Sequence, residues 1–512
     1  MSGWREKSWW GWGWADEALD DAACRKLAEQ ALRPWMPIDG SVLPIPFDPL
    51  LGPPRLVPPS MMEEAFAADS MARAAHAYGK AFRDVVRALH GELENAPDLV
   101  CYPRTAHDVV AVLDWAEAVG AAVVPYGGGT SVVGGVEYRG EGPWISLDLS
   151  RLNRIAEVDE VNHAVRVQAG VFGPALEDAL RPHGLTLRHF PQSFEFSTVG
   201  GWLATRAGGH YATGPTRIDD FVEALRVITP QGSVESPRVP SSGAGPAATG
   251  LFLGSEGALG VIVEAWLRVT KRSERKVAAS LGFPVYLDAV AAVKELVQAG
   301  LRPSNCRLLD PAEAMLNAGA RDGGARLLLG FEGPAAALLP GALEICRAHG
   351  GTEREHDPAG DTFRAAFLRA PYTRDALIRL GLVVETVETA CTWSRFEQLH
   401  AAVLAAVQAA APTRVAVVTC RFTHVYPDGP APYFTVITPA RRGAEVAIWD
   451  EIKAAVSEAI TASGGTITHH HAVGRDHRPW YDEERSPLFA GALRAAKRSL
   501  DPRGILNPGV LV

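Results

Sequence analysis

Thr468-His469-His470-His471-Ala472-Val473-Gly474 places three imidazoles side by side late in a 512-residue chain. A neutral imidazole gives and takes protons near neutral pH, so the run is a candidate proton shuttle. In an extended segment His469 and His471 would share a face and His470 would point away. Adjacent histidines lack the spacing by which three nitrogens usually converge on one ion, so no metal is expected. The blander alternative is a solvated loop.

Tyr126-Gly127-Gly128-Gly129-Thr130-Ser131-Val132 offers a different chemistry. Three glycines remove three side chains where an apolar strand, 121–125, ends. A phosphate can then approach backbone N–H groups, with Thr130 and Ser131 adding hydroxyls. G-x-G-x-x-G fails at Val132 and no Gly-Lys-Ser/Thr follows, which excludes a Rossmann fingerprint and a P-loop. Taken alone, such a loop is also an ordinary tight turn. Two more polar, glycine-bearing segments change the balance. Gln192-Ser193-Phe194-Glu195-Phe196-Ser197-Thr198 leads into Thr205-Arg206-Ala207-Gly208, and Glu256-Gly257-Ala258-Leu259-Gly260-Val261-Ile262 follows later. Three such segments can line one long groove, which suits a dinucleotide better than a lone phosphate.

These segments need elements to position them. Helical periodicity is predicted over 15–35 and 61–92, with a Pro-rich extended crossing between them. Residues 1–96 therefore read as a helical and irregular lead-in. From 97 to 272 the pattern is strand, helix, strand, glycine loop, then further strands, an α+β domain. Its first helix carries Val109, Val110, Val112, Leu113, Ala116 and Val119 at a 3.6 period. A second helix ends at Gly184, and a hairpin turns at Pro230-Gln231-Gly232. From 273 to 445 strands alternate with helices, which suggests a sheet covered on one face. Residues 446–512 read as two helices and a closing tail that carries the histidines back to the groove.

Composition bounds the function. Apolar residues are 47% and charged residues 21%, which is globular. A net charge of −9 with no long basic block argues against nucleic-acid binding. Six cysteines without a C-x-x-C pair suit a reducing compartment. No signal-peptide core and no 18-residue apolar run is seen, so a cytoplasmic location with peripheral membrane contact is expected. Trp4, Trp9, Trp10, Trp12 and Trp14 could anchor that contact, although packing of those rings is the plainer reading.

The order PRT, VPYGGGTS, STVGG and GSEGALGVI resembles the flavin domain of the vanillyl-alcohol oxidase / p-cresol methylhydroxylase superfamily. Asp501-Pro502-Arg503-Gly504-Ile505-Leu506-Asn507-Pro508-Gly509 is similar to that superfamily's closing segment. The resemblance implies α+β: a PCMH-type FAD-binding domain of two α/β subdomains, a substrate (cap) domain with a helix-covered sheet, and a helical C-terminal segment. It implies FAD on the three segments above. With no histidine in 126–136 the FAD is expected to be non-covalent.

The triple histidine before Val473-Gly474, and matching segments from Trp9-Trp10-Gly11-Trp12-Gly13 to Tyr433-Phe434, resemble the alkyldihydroxyacetonephosphate synthase family. Redox members of the superfamily typically carry Gly-Glu-His-Gly where the histidines stand. By that resemblance Tyr433 is the proton donor and acceptor, Arg374 holds the substrate phosphate, His469, His470 and His471 are the essential run, and Arg307 is needed for activity. The implied reaction exchanges the acyl group of acyl-dihydroxyacetone phosphate for a long-chain alcohol through a flavin N5 adduct, without net redox. The implied partners are that lipid-like phosphate and the alcohol, with a homodimer also expected. The alternative is an FAD-linked oxidase or dehydrogenase of a 2-hydroxy acid such as D-lactate or glycolate. The chain departs from the family at Gly208–Pro215, and it ends Val510-Leu511-Val512 rather than in a peroxisomal tripeptide.

Overall fold

The computed structural model describes residues 5–29, 36, 38, 40–355, 357–412 and 414–512. Among them, three larger β-sheets carry the architecture. The first has the order Phe66–Ala67, Leu99–Cys101, Trp144–Asp148, Ala122–Tyr126, and its last three strands run parallel. Parallel neighbours need a crossover. Helix Ala106–Val119 supplies it, opened by the Thr105–Asp108 capping box and closed by Gly120 at φ +68°. Val109, Val112, Leu113 and Ala116 face the core, whereas Val110 and Val119 are exposed. The helix therefore follows its predicted period with a narrower apolar stripe.

The second sheet is antiparallel, in the order Ile155–Asp159, Ala164–Gln168, Val261–Arg268, Val222–Thr229, Gly232–Glu235. Its last two strands are the predicted hairpin. Helices Gly173–Leu180 and Val199–Thr205 pack on it, and the chain leaves the first of these through Gly184 at φ +66°.

The third sheet has seven strands, ordered Thr352–Glu353, Lys276–Phe283, Ala325–Glu332, Asn305–Leu309, Val417–Val425, Pro430–Pro439, Leu382–Glu388. All pairs are antiparallel, so side chains alternate between two faces of different character. Cys306, Leu308, Cys420, Phe422, Phe434, Val436, Val383 and Val387 sit in one core with helices Tyr286–Gln298, Phe396–Ala410 and Glu445–Ala462. Arg307, Arg421, Tyr433 and Thr386 occupy the opposite phase and line a cavity. The alternation sends apolar residues to the helices and polar ones to the cavity.

Three expectations are corrected. Residues 61–92 form a 3-10 turn Ser60–Ala65, a short strand Phe66–Ala67 and helices Ser70–Ala75 and Phe82–Leu89. The helices are parted where Gly79 passes so close to the Ser131 carbonyl that a Cβ would stand 2.3 Å from it. Of the predicted stretch 15–35, the described part holds a 3-10 turn Ala15–Glu17 and helix Asp21–Leu27; residues 30–35 lie outside the described residues. The last segment holds three helices, Glu445–Ala462, Arg478–Glu484 and Pro487–Leu500, and not two. After them Leu506 bridges to Val123 of the first sheet.

Trp10 and Trp12 are buried, and the backbone N–H of Trp12 donates to Asp375 at 2.6 Å. Trp12 and Trp14 pack edge-on against Phe196. Those rings are packed against the protein, as the plainer reading expects; Trp4 lies outside the described residues. All six cysteines are buried and unpaired. Among the described residues no helix is long and apolar enough to cross a membrane.

Candidate active site and flavin groove

A cavity of about 580 Å³ runs from the glycine loop to the polar face of the seven-stranded sheet. At one end it is walled by Gly127, Gly128, Gly129, Thr130, Ser131 and Val132. Along its length lie Gln192, Ser193, Ser197, Thr198, Thr205, Ala207, Gly208, Glu256 and Gly257. The three segments thus meet in one groove. Close packing explains the glycines. A Cβ on Gly127 would stand 2.4 Å from Thr198 Oγ1, one on Gly128 would stand 1.7 Å from the Phe196 carbonyl oxygen, and Gly129 has φ +68°. Loop and second segment interlock so tightly that only bare backbone faces the groove there. A long, amide-walled groove with hydroxyls at one end fits a dinucleotide.

Other expected groove residues support this wall from behind. Tyr126 is buried in its strand and donates to the Ala75 carbonyl at 3.0 Å. Phe194 stacks on Trp202, Phe196 packs on the Trp pair, and exposed Glu195 accepts from Trp14 Nε1. Arg206 turns outward to Asp219. Ala258, Leu259, Gly260, Val261 and Ile262 enter the second sheet and contribute no lining. His210 lines the cavity, where its Nδ1 accepts from Arg307 at 2.8 Å; that cation holds it down near 3, with burial adding to the effect.

The histidine run is shaped by Glu388, the last residue of Leu382–Glu388. Its buried carboxylate accepts the backbone N–H groups of His469 (2.8 Å), His470 (3.1 Å) and His471 (3.0 Å), and the Thr468 hydroxyl. Burial opposes that charge. His470 beside it outweighs burial, and the carboxyl lies well below the usual glutamate range. Three consecutive N–H groups can reach one carboxylate only if the backbone curls. The run is therefore bent, not extended, and the expected pairing of faces is overturned. His470 and His471 line the cavity, while His469 lies behind them, its Nε2 2.8 Å from Tyr426 Oη. Glu256 fixes the other end of the loop by accepting from the N–H groups of Val473 and Gly474, and burial pushes its carboxyl up to about 7. Burial also holds His469 and His471 near 3, so both are neutral.

His424, which spacing alone does not associate with the run, joins it in space. Ligand atoms of His424, His469 and His470 lie within 4.8 Å of one another. His469 Nδ1 and His470 Nδ1 are 3.0 Å apart, a distance at which they share a proton.

Tyr433 is buried opposite Glu388 in the ladder, with its ring 5.7 Å from His471 and 6.4 Å from His470. Arg421 lies 3.9 Å over that ring. Burial raises the phenol above its ordinary value, and Arg421 and Thr386 oppose the rise. Arg421 is tied to Glu313 at 2.9 Å, whereas buried Arg307 has no partner at Nε or Nη1 among the described residues. Arg374 also lines the cavity, with Nε and Nη2 on Asp375 and Nη1 on the Lys80 carbonyl. Two of its five N–H groups remain to bind. Sequence reasoning missed Glu388, Arg421, His424 and Tyr426. They stand in segments that carry the family resemblance, Glu388–Trp393 and Cys420–Tyr426, but nothing in the residues themselves gave them a role.

Two family models match the chain: FAD binding domain over 97–236 and FAD linked oxidases, C-terminal domain, over 272–511. An alkyldihydroxyacetonephosphate synthase of Dictyostelium discoideum is 29% identical over 87% of this chain and 78% of its own length. The glycolate oxidase subunit GlcD of Bacillus subtilis is 29% identical over 82% of this chain and 89% of its own. A solved alkyldihydroxyacetonephosphate synthase superposes with TM-score 0.82 at 25% identity, covering 98% of both chains. Substrate-bound p-cresol methylhydroxylase shares the fold, with TM-score 0.69 at 14% identity over 88% of this chain and 94% of its own. The fold and groove thus define an FAD-dependent enzyme with a PCMH-type flavin domain. Within that superfamily the chain is similar over nearly its whole length to alkyldihydroxyacetonephosphate synthases.

Gly128→Ala should leave the far-UV spectrum native and abolish retention of FAD, read as the ratio of visible to 280 nm absorbance. Retained flavin would separate the glycine loop from cofactor binding. Glu388→Gln should cost about 3 kcal/mol in urea unfolding at pH 7, because it discharges the group that pairs with the loop. A carboxyl depressed in the fold stabilises fully above its ordinary value of 4.5 and loses that contribution as pH falls. The variant's stability should therefore fall less steeply below pH 5 than the parent's; parallel acid limbs would refute the role.

Proposed function

We propose that the chain replaces the acyl group of acyl-dihydroxyacetone phosphate by a long-chain alcohol, releasing the fatty acid with no net redox change. The observation that carries this reading is the convergence of Tyr433, two histidines and two buried arginines at the far end of the flavin groove. Phe367, Leu377, Val384 and Ile437 line the same cavity and form an apolar wall suited to a hydrocarbon chain. Non-covalent FAD, held by Gly127–Val132 and Gln192–Thr198, would supply an electron-accepting ring beside the reacting carbon.

The chain's residues divide the remaining work. Arg307 offers unpartnered N–H groups to the phosphate, with Arg374 adding two more. Tyr433 removes the proton at C1 once its own proton has passed to a neighbouring histidine. Arg421 over the ring stabilises the phenolate that this requires. His471, neutral at working pH, is an acceptor and not a cation.

Similarity to a glycolate oxidase subunit supports a second reading, oxidation of a 2-hydroxy acid whose carboxylate would lie on the same arginines. Anaerobic visible spectra separate the two. Hexadecanoyl-dihydroxyacetone phosphate should perturb the flavin bands without lasting bleaching and release hexadecanoate, and D-lactate and glycolate should leave the spectrum unchanged. Full bleaching by either acid establishes hydride chemistry instead. Tyr433→Phe should retain FAD and lose at least about a hundredfold in kcat; full activity removes Tyr433 from the chemistry.

For a lipid substrate we also place peripheral membrane contact on the Pro-rich crossing and the turn that follows it, where Phe47, Leu50 and Met61 are more than nine-tenths exposed. The triple variant F47S/L50S/M61S should lose pelleting with phosphatidylcholine vesicles while keeping its melting temperature. Unchanged pelleting rejects this surface.

A further inference from the structure

The histidine loop separates two cavities. Behind it lies a second, open cavity of about 920 Å³ whose wall includes Tyr426, Asp428, Glu458, Glu483 and Glu484. A chain of polar contacts crosses the loop between them. His470, on the flavin side, approaches His469 with the two Nδ1 atoms 3.0 Å apart. His469 Nε2 is 2.8 Å from Tyr426 Oη, and Tyr426 Oη is 3.1 Å from Thr216 Oγ1.

The chain has a defined polarity. Glu388 Oε2 lies 3.2 Å from His470 Nδ1, and an ionised carboxylate only accepts, so that nitrogen carries the hydrogen. His469 Nδ1 is then the acceptor, and its neutral ring carries hydrogen on Nε2, which donates to Tyr426. The phenol hydrogen is left for Thr216 or for water in the second cavity. Every donor points away from the flavin.

We propose that Tyr426 is a positioning residue that completes a proton path from the catalytic cavity through His470 and His469 to the acidic groove behind the loop. The proposal rests on the reading above that the reaction leaves a proton on this histidine cluster. A proton arriving at His470 Nε2 displaces the Nδ1 proton to His469 Nδ1. His469 passes its Nε2 proton to Tyr426 Oη, and the phenol releases its own to the groove. One proton enters and one leaves, and ring reorientation or back-transfer resets the tautomers. The backbone of Tyr426 is pinned on both sides. Trp393 Nε1 donates to its carbonyl at 3.1 Å, and its N–H donates to the Gly429 carbonyl at 2.9 Å. A tyrosine that merely filled space would need none of this directionality.

The test uses the FAD-loaded full chain. First, nitrogen-15 NMR of labelled imidazoles should show His469 as the Nε2–H tautomer; an Nδ1–H tautomer reverses the chain and overturns the proposal whatever the substrate. Second, turnover is followed with hexadecanoyl-dihydroxyacetone phosphate and hexadecanol, or with the hydroxy acid if that is what bleaches the flavin. Tyr426→Phe should keep FAD and KM, lower kcat about tenfold and enlarge the solvent deuterium isotope effect. Tyr426→Ala opens the path to the groove, and added imidazole should restore its kcat in a saturable way. An unchanged kcat and isotope effect in Tyr426→Phe, or failure of imidazole to restore Tyr426→Ala, overturns the relay. Tyr433→Phe tells the two failures apart: if it is inactive while Tyr426→Phe is fully active, only the relay falls; if both are fully active, the site assignment falls with it.

Discussion

One buried carboxylate organises the catalytic end of this protein. Glu388 sits at the end of a strand, beside Tyr433 in the ladder, and gathers the N–H groups of three consecutive histidines. Left unpaired, a buried carboxylate costs several kcal/mol, so it is stable there only because the loop wraps it. The dependence is mutual. Without Glu388 those N–H groups would face neither water nor acceptor, and the loop would open. The seven-stranded sheet fixes Glu388, Glu388 fixes the histidines, and Glu256 ties the same loop to the flavin groove. Cofactor and proton-handling groups are thereby held in one frame.

The sheet's alternation decides which side chains join that frame. Neighbours such as Phe434 and Tyr433, or Phe422 and Arg421, differ by one position and face opposite worlds. A one-residue slip would bury the arginines under helices and open the core to the cavity. Register therefore decides the lining of the cavity as much as the packing of the core.

Much of this was legible in the sequence. The glycine loop and its two companion segments could be read as one groove because glycine and hydroxyl residues mark themselves locally. Helix Ala106–Val119 and the hairpin Val222–Thr229 with Gly232–Glu235 followed from period and turn chemistry. The lead-in did not, because its apolar positions serve contacts with distant strands: Phe66 pairs with Cys101, and Gly79 is set by Ser131. The bend of the histidine run was illegible for the same reason. An extended reading is the default for three adjacent histidines, and only a carboxylate about eighty residues upstream in sequence overrides it. Residues that act through long-range pairing carry no short motif.

The arginines state the site's purpose in energetic terms. Burial drives Arg307 down to about 9, and neighbouring Arg421 adds to the effect, yet two of its nitrogens meet no partner among the described residues. Folding alone would replace such a group with an apolar one, since an unmatched buried cation destabilises the chain. Arg421 is instead matched by Glu313, and Arg374 by Asp375. The contrast within one cavity is informative: these two and Arg369, on Glu17, are neutralised in place, and Arg307 is left to be neutralised by what enters. An anion arriving at Arg307 restores the missing partner and the lost solvation together. Its binding is favoured by a cost the fold has already met. On the proposed reading the anionic end of the substrate is anchored at Arg307, and its reacting carbon is left to Tyr433.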